Sequence, residues 1–199
     1  MKNGRLNGRF HRNFNNMGGQ ILPNSNMKNA NQYLPEDILI TFFGKEAKIV
    51  GVEIGVLGGS GSVAMLERMP NLKLYCIDPW KHIPGKGYEA EREQEFHNRN
   101  YEETKRRLKV FGDRAIILRM TSDEAVDVIN EPLDFVYIDG DHSEDQVRRD
   151  IINWKRKLKR RSILAGHDWH LDHIKKAVRE LLGEPQLGDD FIWYFKYDS

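Results

Sequence analysis

A single cysteine, Cys76, in 199 residues excludes an internal disulfide framework and a zinc site built on paired thiolates. It stands in an apolar run with Leu72 and Leu74, which suits a small core side chain. No run of about 18 apolar residues occurs, so no membrane-spanning helix and no membrane partner are expected. Met1 to Asn31 contains no apolar stretch of the kind a secretory leader needs, and a cytoplasmic location is the expectation. Excess charge of either sign is also missing. With 31 Lys and Arg against 30 Asp and Glu the net charge is +1, which gives no overall field to attract nucleic acid or membrane.

What is present divides the chain in two. Residues 1–32 are rich in Asn and Gly, carry Lys2, Arg5, Arg9, Arg12 and Lys28, and precede the first acid, Glu36. Such a segment buries too little apolar surface to order itself. It reads as a polar arm, disordered or ordering over a ligand. Residues 33–199 read as one domain. With 39% hydrophobic and 31% charged residues overall, the chain can build an ordinary core.

From Glu46 onward strands alternate with helices. Residues 48–56, 72–77, 115–119, 133–138 and 162–165 read as strands. Residues 62–69, 89–110, 122–130, 143–158 and 171–182 read as helices, with Ser122 as an N-cap and Gly183 as a stop. Residues 184–187 and 191–197 read as a closing hairpin. Repeated strand–helix units predict a mostly parallel sheet covered on both faces, with one antiparallel edge strand.

In such sheets ligands sit beyond the carboxyl ends of the strands. The first strand ends in Glu53-Ile54-Gly55-Val56-Leu57-Gly58-Gly59-Ser60-Gly61-Ser62, where glycines let backbone approach a ligand and turn into a helix. The second strand ends in Asp78, about 20 residues on, where dinucleotide folds place a ribose-binding acid. Gly59-x-Gly61-x-x-Ala64 matches a nicotinamide-cofactor fingerprint. Glu53 on the strand itself argues for a different ligand. A carboxylate there repels pyrophosphate and attracts an ammonium group, which favours S-adenosylmethionine.

Glu53-Ile54-Gly55-Val56…Gly59, Tyr75-Cys76-Ile77-Asp78-Pro79-Trp80, Ser122-x-Glu124-Ala125, Ile138-Asp139-Gly140-Asp141-His142-Ser143 and Gly166-His167-Asp168-Trp169 together resemble class I methyltransferases. More narrowly they resemble the small bacterial macrocin-type sugar O-methyltransferases. The resemblance spans about Ala47 to Lys196. It implies a Rossmann-like α/β fold with a seven-stranded sheet in the order 3-2-1-4-5-7-6. It implies that Glu53, Gly55 and Gly59 line the methionine portion, that Asp78 holds the ribose, that Trp80 flanks the adenosine and that Ser122 meets the adenine edge. Where the family often has Ser or Thr in the turn this chain has Gly61, and Ser60 or Ser62 is expected to substitute.

In that strand order Asp139-Gly140-Asp141-His142 and His167-Asp168 are neighbours, and three carboxylates and two imidazoles meet at one rim. Like charges this close need compensation, and a divalent cation supplies it. Carboxylate-rich ligation favours Mg²⁺, and imidazole widens the choice to Mn²⁺. The resemblance places ligands at Asp139, His167 and Asp168. A cation there would bind the acceptor oxygen and lower its pKa, with His142 as general base and Asp141 as second choice. His170 and His173 read as helix-start residues, and His82, His97 and His11 as surface residues.

The basic run Lys155-Arg156-Lys157-Leu158-Lys159-Arg160-Arg161 reads as a solvated helix end, without the aromatic interleaving of a single-strand binder. The expectation is therefore metal-dependent methylation of a small-molecule hydroxyl, on a sugar or natural product. A nucleic-acid methyltransferase, a non-catalytic cofactor-binding protein and a nicotinamide enzyme are the alternatives. A homodimer is the base-rate expectation for assembly.

Overall fold

Successive strand residues point to opposite faces, and in this chain both sets are apolar, so the sheet must be covered on both sides. A computed structural model describes residues 35–85 and 88–198; the arm expected over residues 1–32 lies outside the described residues. Strands β1 (Ile49–Ile54), β2 (Leu72–Ile77), β3 (Ala115–Leu118), β4 (Leu133–Ile138), β5 (Leu158–Gly166), β6 (Gln186–Leu187) and β7 (Trp193–Asp198) form one sheet in the order β3-β2-β1-β4-β5-β7-β6. The first five pair in parallel. β7 runs antiparallel to both β5 and β6. The strand order and the antiparallel last strand are those the family resemblance implies, but the antiparallel strand, expected at the edge, is the interior β7, with β6 outside it.

Among the described residues six α-helices cover the sheet: α1 (Pro35–Phe43), α2 (Ser60–Arg68), α3 (Gln94–Leu108), α4 (Ser122–Val128), α5 (Glu144–Lys155) and α6 (Asp172–Leu182). On one face Leu74, Cys76, Phe135, Ile163 and Tyr194 pack with residues of α1, α2 and the end of α3. On the other Val52, Val136, Leu164 and Trp193 pack with α4, α5 and α6. α6 buries Ile174, Ala177 and Val178, the i, i+3, i+4 stripe of an amphipathic helix. It ends at Gly183, whose φ of 91° an L side chain rarely adopts. All six residues of β4 are buried, as a central parallel strand requires.

The structure corrects three local readings. α1 was not expected, because it lies upstream of the strand–helix alternation. The helix expected over residues 89–110 is broken into a 3₁₀ turn, Tyr88–Glu91, and α3, and His97, expected on the surface, is buried. The N-cap of α4 is Thr121 and not Ser122. The Thr121 hydroxyl accepts from the Glu124 amide while the Glu124 carboxylate accepts from the Thr121 amide, a reciprocal capping box.

That box supplies a direct test. Thr121→Ala removes the acceptor for one helix amide and should destabilise the fold by about 1 kcal/mol, seen as a thermal midpoint lowered by about 2–4 °C. An unchanged midpoint would show that the box contributes nothing in this context.

Candidate active site

The strands of a parallel sheet deliver their loops to one rim, and here that rim begins where β1 and β4 end side by side. The Asp139 amide donates to Ile54 O at 2.8 Å, and the Gly55 amide donates to Ile77 O at 2.8 Å. Gly55 has a φ of +89°, and a Cβ on it would lie 2.0 Å from the Asp139 carbonyl oxygen. Only glycine passes there. The turn then rises through Leu57 to Gly59, which caps α2 with a φ of 80°.

Leu57 itself has a φ of 48° and is held from three directions. Its amide donates to Asp78 Oδ2 at 2.9 Å, and its carbonyl accepts from Trp80 Nε1 at 2.7 Å and Thr104 Oγ1 at 2.8 Å. The turn is thereby preformed, with its backbone facing the rim. Trp80, expected beside the adenosine, has no exposed surface. It props the glycine turn from behind, against Tyr101 at a ring distance of 4.9 Å. Asp78 Oδ1 accepts from the Trp80 amide at 2.7 Å. A carboxylate at the end of the second strand is the acceptor type that a ribose diol requires.

Glu53 is 3% exposed and points under α2, where Ser62 Oγ donates to it. A Cβ on Gly61 would come within 2.4 Å of its Oε1, so the glycine where the family often has Ser or Thr makes room for the carboxylate. Ser62, not the exposed Ser60, is the hydroxyl that meets it. Burial raises the Glu53 pKa from 4.5 to about 8; Ser62 opposes this, and the charges of Asp139, Asp78 and Glu36 add to it. A ligand ammonium placed there would reverse the balance, so the donor set fits a cationic amine. Ser122, expected at the adenine edge, is buried. Its hydroxyl donates to Asp150 at 2.6 Å and accepts from Trp154 Nε1 at 2.7 Å, which fastens α4 to α5.

At the β4–β5 end the acids and imidazoles do converge. Ligand-type atoms of Asp139, His142 and Asp168 lie within 4.8 Å of one another. His142 Nδ1 pairs with Asp168 Oδ2. His167 Nδ1 lies 3.7 Å from Asp139 Oδ1 and 3.2 Å from Asp168 Oδ1. Burial alone would lower both imidazole pKa values, but the hydrogen bond to Asp168 and the surrounding carboxylates prevail. His142 is raised above 6.5 and His167 is raised to about 9. The two imidazoles in turn hold the Asp168 carboxyl well below its usual range, against the effect of burial. Asp141 Oδ1 accepts from the Ser143 amide at 2.8 Å, which shapes the entry into α5. Among the described residues Asp139, His142 and Asp168 form a convergent donor set that suits a divalent cation, and His167, expected from the sequence as a ligand, lies beside both carboxylates but outside that set.

Sequence reasoning missed two residues here. His173 Nε2 meets the His142 carbonyl oxygen at 2.8 Å, and His170 Nδ1 lies 3.9 Å from Asp168 Oδ1. Their nearness to the Asp-His pair in sequence was the available signal. The basic run, expected as a helix end, instead forms the end of α5, a turn and the start of β5 at the opposite rim. Lys157 donates to Ile129 O, Lys159 pairs with Asp134, and Arg161 donates to Phe42 O and pairs with Asp198.

The buried Glu53 makes stability depend on pH. Its carboxyl ionises near 4.5 in an unfolded chain and near 8 in the fold, so between those values the folded state holds the additional proton. The stability it contributes therefore falls as pH rises from about 4.5 to about 8. Denaturant titrations across this window should show that decline, and Glu53→Gln should flatten it. Equal slopes in both proteins would mean that Glu53 titrates normally.

Comparison with known proteins gives the geometry a family. The sequence matches the methyltransferase domain family over residues 52–169, more than half of the chain, and the match runs from β1 through the His167-Asp168 pair. No curated protein sequence matches the chain. Among solved structures, an rRNA methylase from Streptococcus thermophilus superposes with a TM-score of 0.57 at 16% identity, over 82% of this chain and 94% of the other. The O-methyltransferase from Bacillus cereus, in complex with S-adenosylhomocysteine, gives 0.56 at 13% identity, over 84% of each chain. The O-methyltransferase TomG from Streptomyces achromogenes, involved in tomaymycin synthesis and solved with S-adenosylmethionine, gives 0.52 at 15% identity, over 82% and 79%. At these identities the likeness establishes the fold, and the sequence match establishes the kinship: the chain belongs to the methyltransferase domain family, on the class I fold.

Proposed function

We propose that the chain transfers a methyl group from S-adenosylmethionine to a hydroxyl oxygen of a small molecule, a sugar or natural product, with a divalent cation at the β4–β5 rim. Membership of the class I methyltransferases carries the first half. The observation that supports the second is the convergence of Asp139, His142 and Asp168 within 4.8 Å, with His167 against both carboxylates.

Each residue has a task that its position supports. Glu53 receives the cofactor's ammonium, Gly55 and Gly59 admit its methionine portion to the backbone, and Asp78 receives the ribose. Bound there, the cofactor supplies an electrophilic methyl group on a positively charged sulfur. Asp139, His167 and Asp168 would hold Mg²⁺ or Mn²⁺, which would supply Lewis-acid polarisation of the acceptor hydroxyl. His142 is the general base. Its Nδ1 faces Asp168, which orients the ring so that Nε2 takes the hydroxyl proton, a contribution of about 10²–10⁴ in rate. Asp141 is engaged by the Ser143 amide and is the weaker candidate for that task.

The rRNA methylase shares the fold, and a fold hosts many substrates. Lys157, Lys159 and Arg161 of the basic run are paired at the far rim, which supports a small acceptor instead.

Calorimetric titration with S-adenosylhomocysteine and then Mn²⁺ tests the assignment. Wild type should bind both, Asp78→Ala should lose the nucleoside, and His167→Ala should bind Mn²⁺ at least about tenfold more weakly, while His142→Ala retains the metal and loses turnover. If His142→Ala loses Mn²⁺ and His167→Ala keeps it, the two imidazoles exchange roles. Absence of Mn²⁺ binding to the wild type would remove the metal from the mechanism.

A further inference from the structure

The turn between β6 and β7 carries an arrangement that neither the fold nor the cofactor site requires. Asp190 and Phe191 are consecutive non-glycine residues with φ of 54° and 60°, a conformation that is strained for a bulky side chain. The strained phenylalanine is also 54% exposed. Burial therefore does not repay the strain, and an exposed, strained aromatic points to a binding role.

Its surroundings show where it is aimed. The Trp169 amide donates to Phe191 O at 2.9 Å, which ties the turn to the segment just after Asp168. The Phe191 ring lies 4.6 Å from the His170 ring at 53°, and His170 Nδ1 lies 3.9 Å from Asp168 Oδ1. Asp190 Oδ2 lies 3.8 Å from His167 Nε2. The turn is thus joined to both residues of the His167-Asp168 pair. Two ring faces form a shelf that runs from the reactive carboxylates outward to solvent.

We infer that His170 and Phe191 form the acceptor shelf, the surface on which a ring of the acceptor lies while its hydroxyl reaches Asp168 and His142. This rests on the methyltransferase reading of the same rim. The apolar ring faces select an acceptor that presents a flat or C–H-lined ring face. The Asp190 carboxylate, exposed beside them, adds an acceptor for a second hydroxyl of that ring. An open-chain alcohol meets neither demand. His170 and Phe191 therefore determine specificity, whereas His142 and the metal-binding carboxylates carry the reaction.

The test uses the full chain with S-adenosylhomocysteine and Mn²⁺, and reads ligand binding by saturation-transfer NMR. The ring probes are catechol and methyl α-D-glucopyranoside, and the open-chain control is 1,2-propanediol. At least one ring probe should receive saturation at millimolar concentration and propanediol should not. Phe191→Gly removes the ring and the backbone strain together. It should weaken the ring signal at least fivefold without lowering the thermal midpoint, and Phe191→Tyr should restore it. Equal signals in wild type and Phe191→Gly, equal binding of propanediol, or no ring binding to the wild type would each overturn the shelf. So would retained ring binding together with loss of a dimer, which would make Phe191 a subunit contact. Calorimetry with S-adenosylhomocysteine on the same samples keeps the two readings separate. Loss of that binding in the wild type overturns the methyltransferase site, whereas its retention beside a failed ring test overturns the shelf alone.

Discussion

The passage of Gly55 across the carbonyl of Asp139 is the constraint on which the rest of the site depends. A Cβ at that point would stand 2.0 Å from the carbonyl oxygen, so β1 and β4 can end side by side only with glycine there. The Asp139 amide donates to Ile54 O across the crossing at 2.8 Å, and the Gly55 amide donates to Ile77 O of β2 on the other side at 2.8 Å. From the crossing the β1 loop turns into α2 and carries the backbone proposed to meet the cofactor. The β4 loop turns into α5 and carries Asp139, Asp141 and His142. Both halves of the rim, cofactor and chemistry, are thus fixed by one close approach of main chain to main chain.

Four acids gather around this crossing, and each is stabilised differently. Glu53 is buried and held near neutrality at physiological pH by its surroundings. Asp78 accepts from two loop amides. Asp168 is kept ionised by two imidazoles. Asp139 faces His167. Acids gathered in this way favour cationic partners, which is the electrostatic basis for the proposed cofactor ammonium at one end and the proposed divalent cation at the other.

The same seven-stranded frame supports an rRNA methylase and O-methyltransferases among solved structures. The frame does not choose among them. Choice falls to what projects from the loops, including the β6–β7 turn. In this chain that last turn brings an exposed aromatic ring to the His167-Asp168 pair, and the basic run is directed to the other end of the sheet.

The sequence by itself determined the strand–helix alternation, the glycine turn, the acids at the ends of β1, β2 and β4, and Gly183 as a helix stop. These are readable because each depends on local periodicity or on a residue type that backbone geometry demands. The strand order and the residue roles came from family resemblance, since spacing alone does not say which strands are neighbours. Only tertiary structure decided that Trp80 supports the turn from behind and that Ser122 fastens α4 to α5 while Thr121 caps. It alone brought His170 and Phe191 into contact across 21 positions of chain. Side-chain direction in these cases is set by packing between elements far apart in sequence, and a tryptophan or serine next to a motif looks the same whether it faces the ligand or the core.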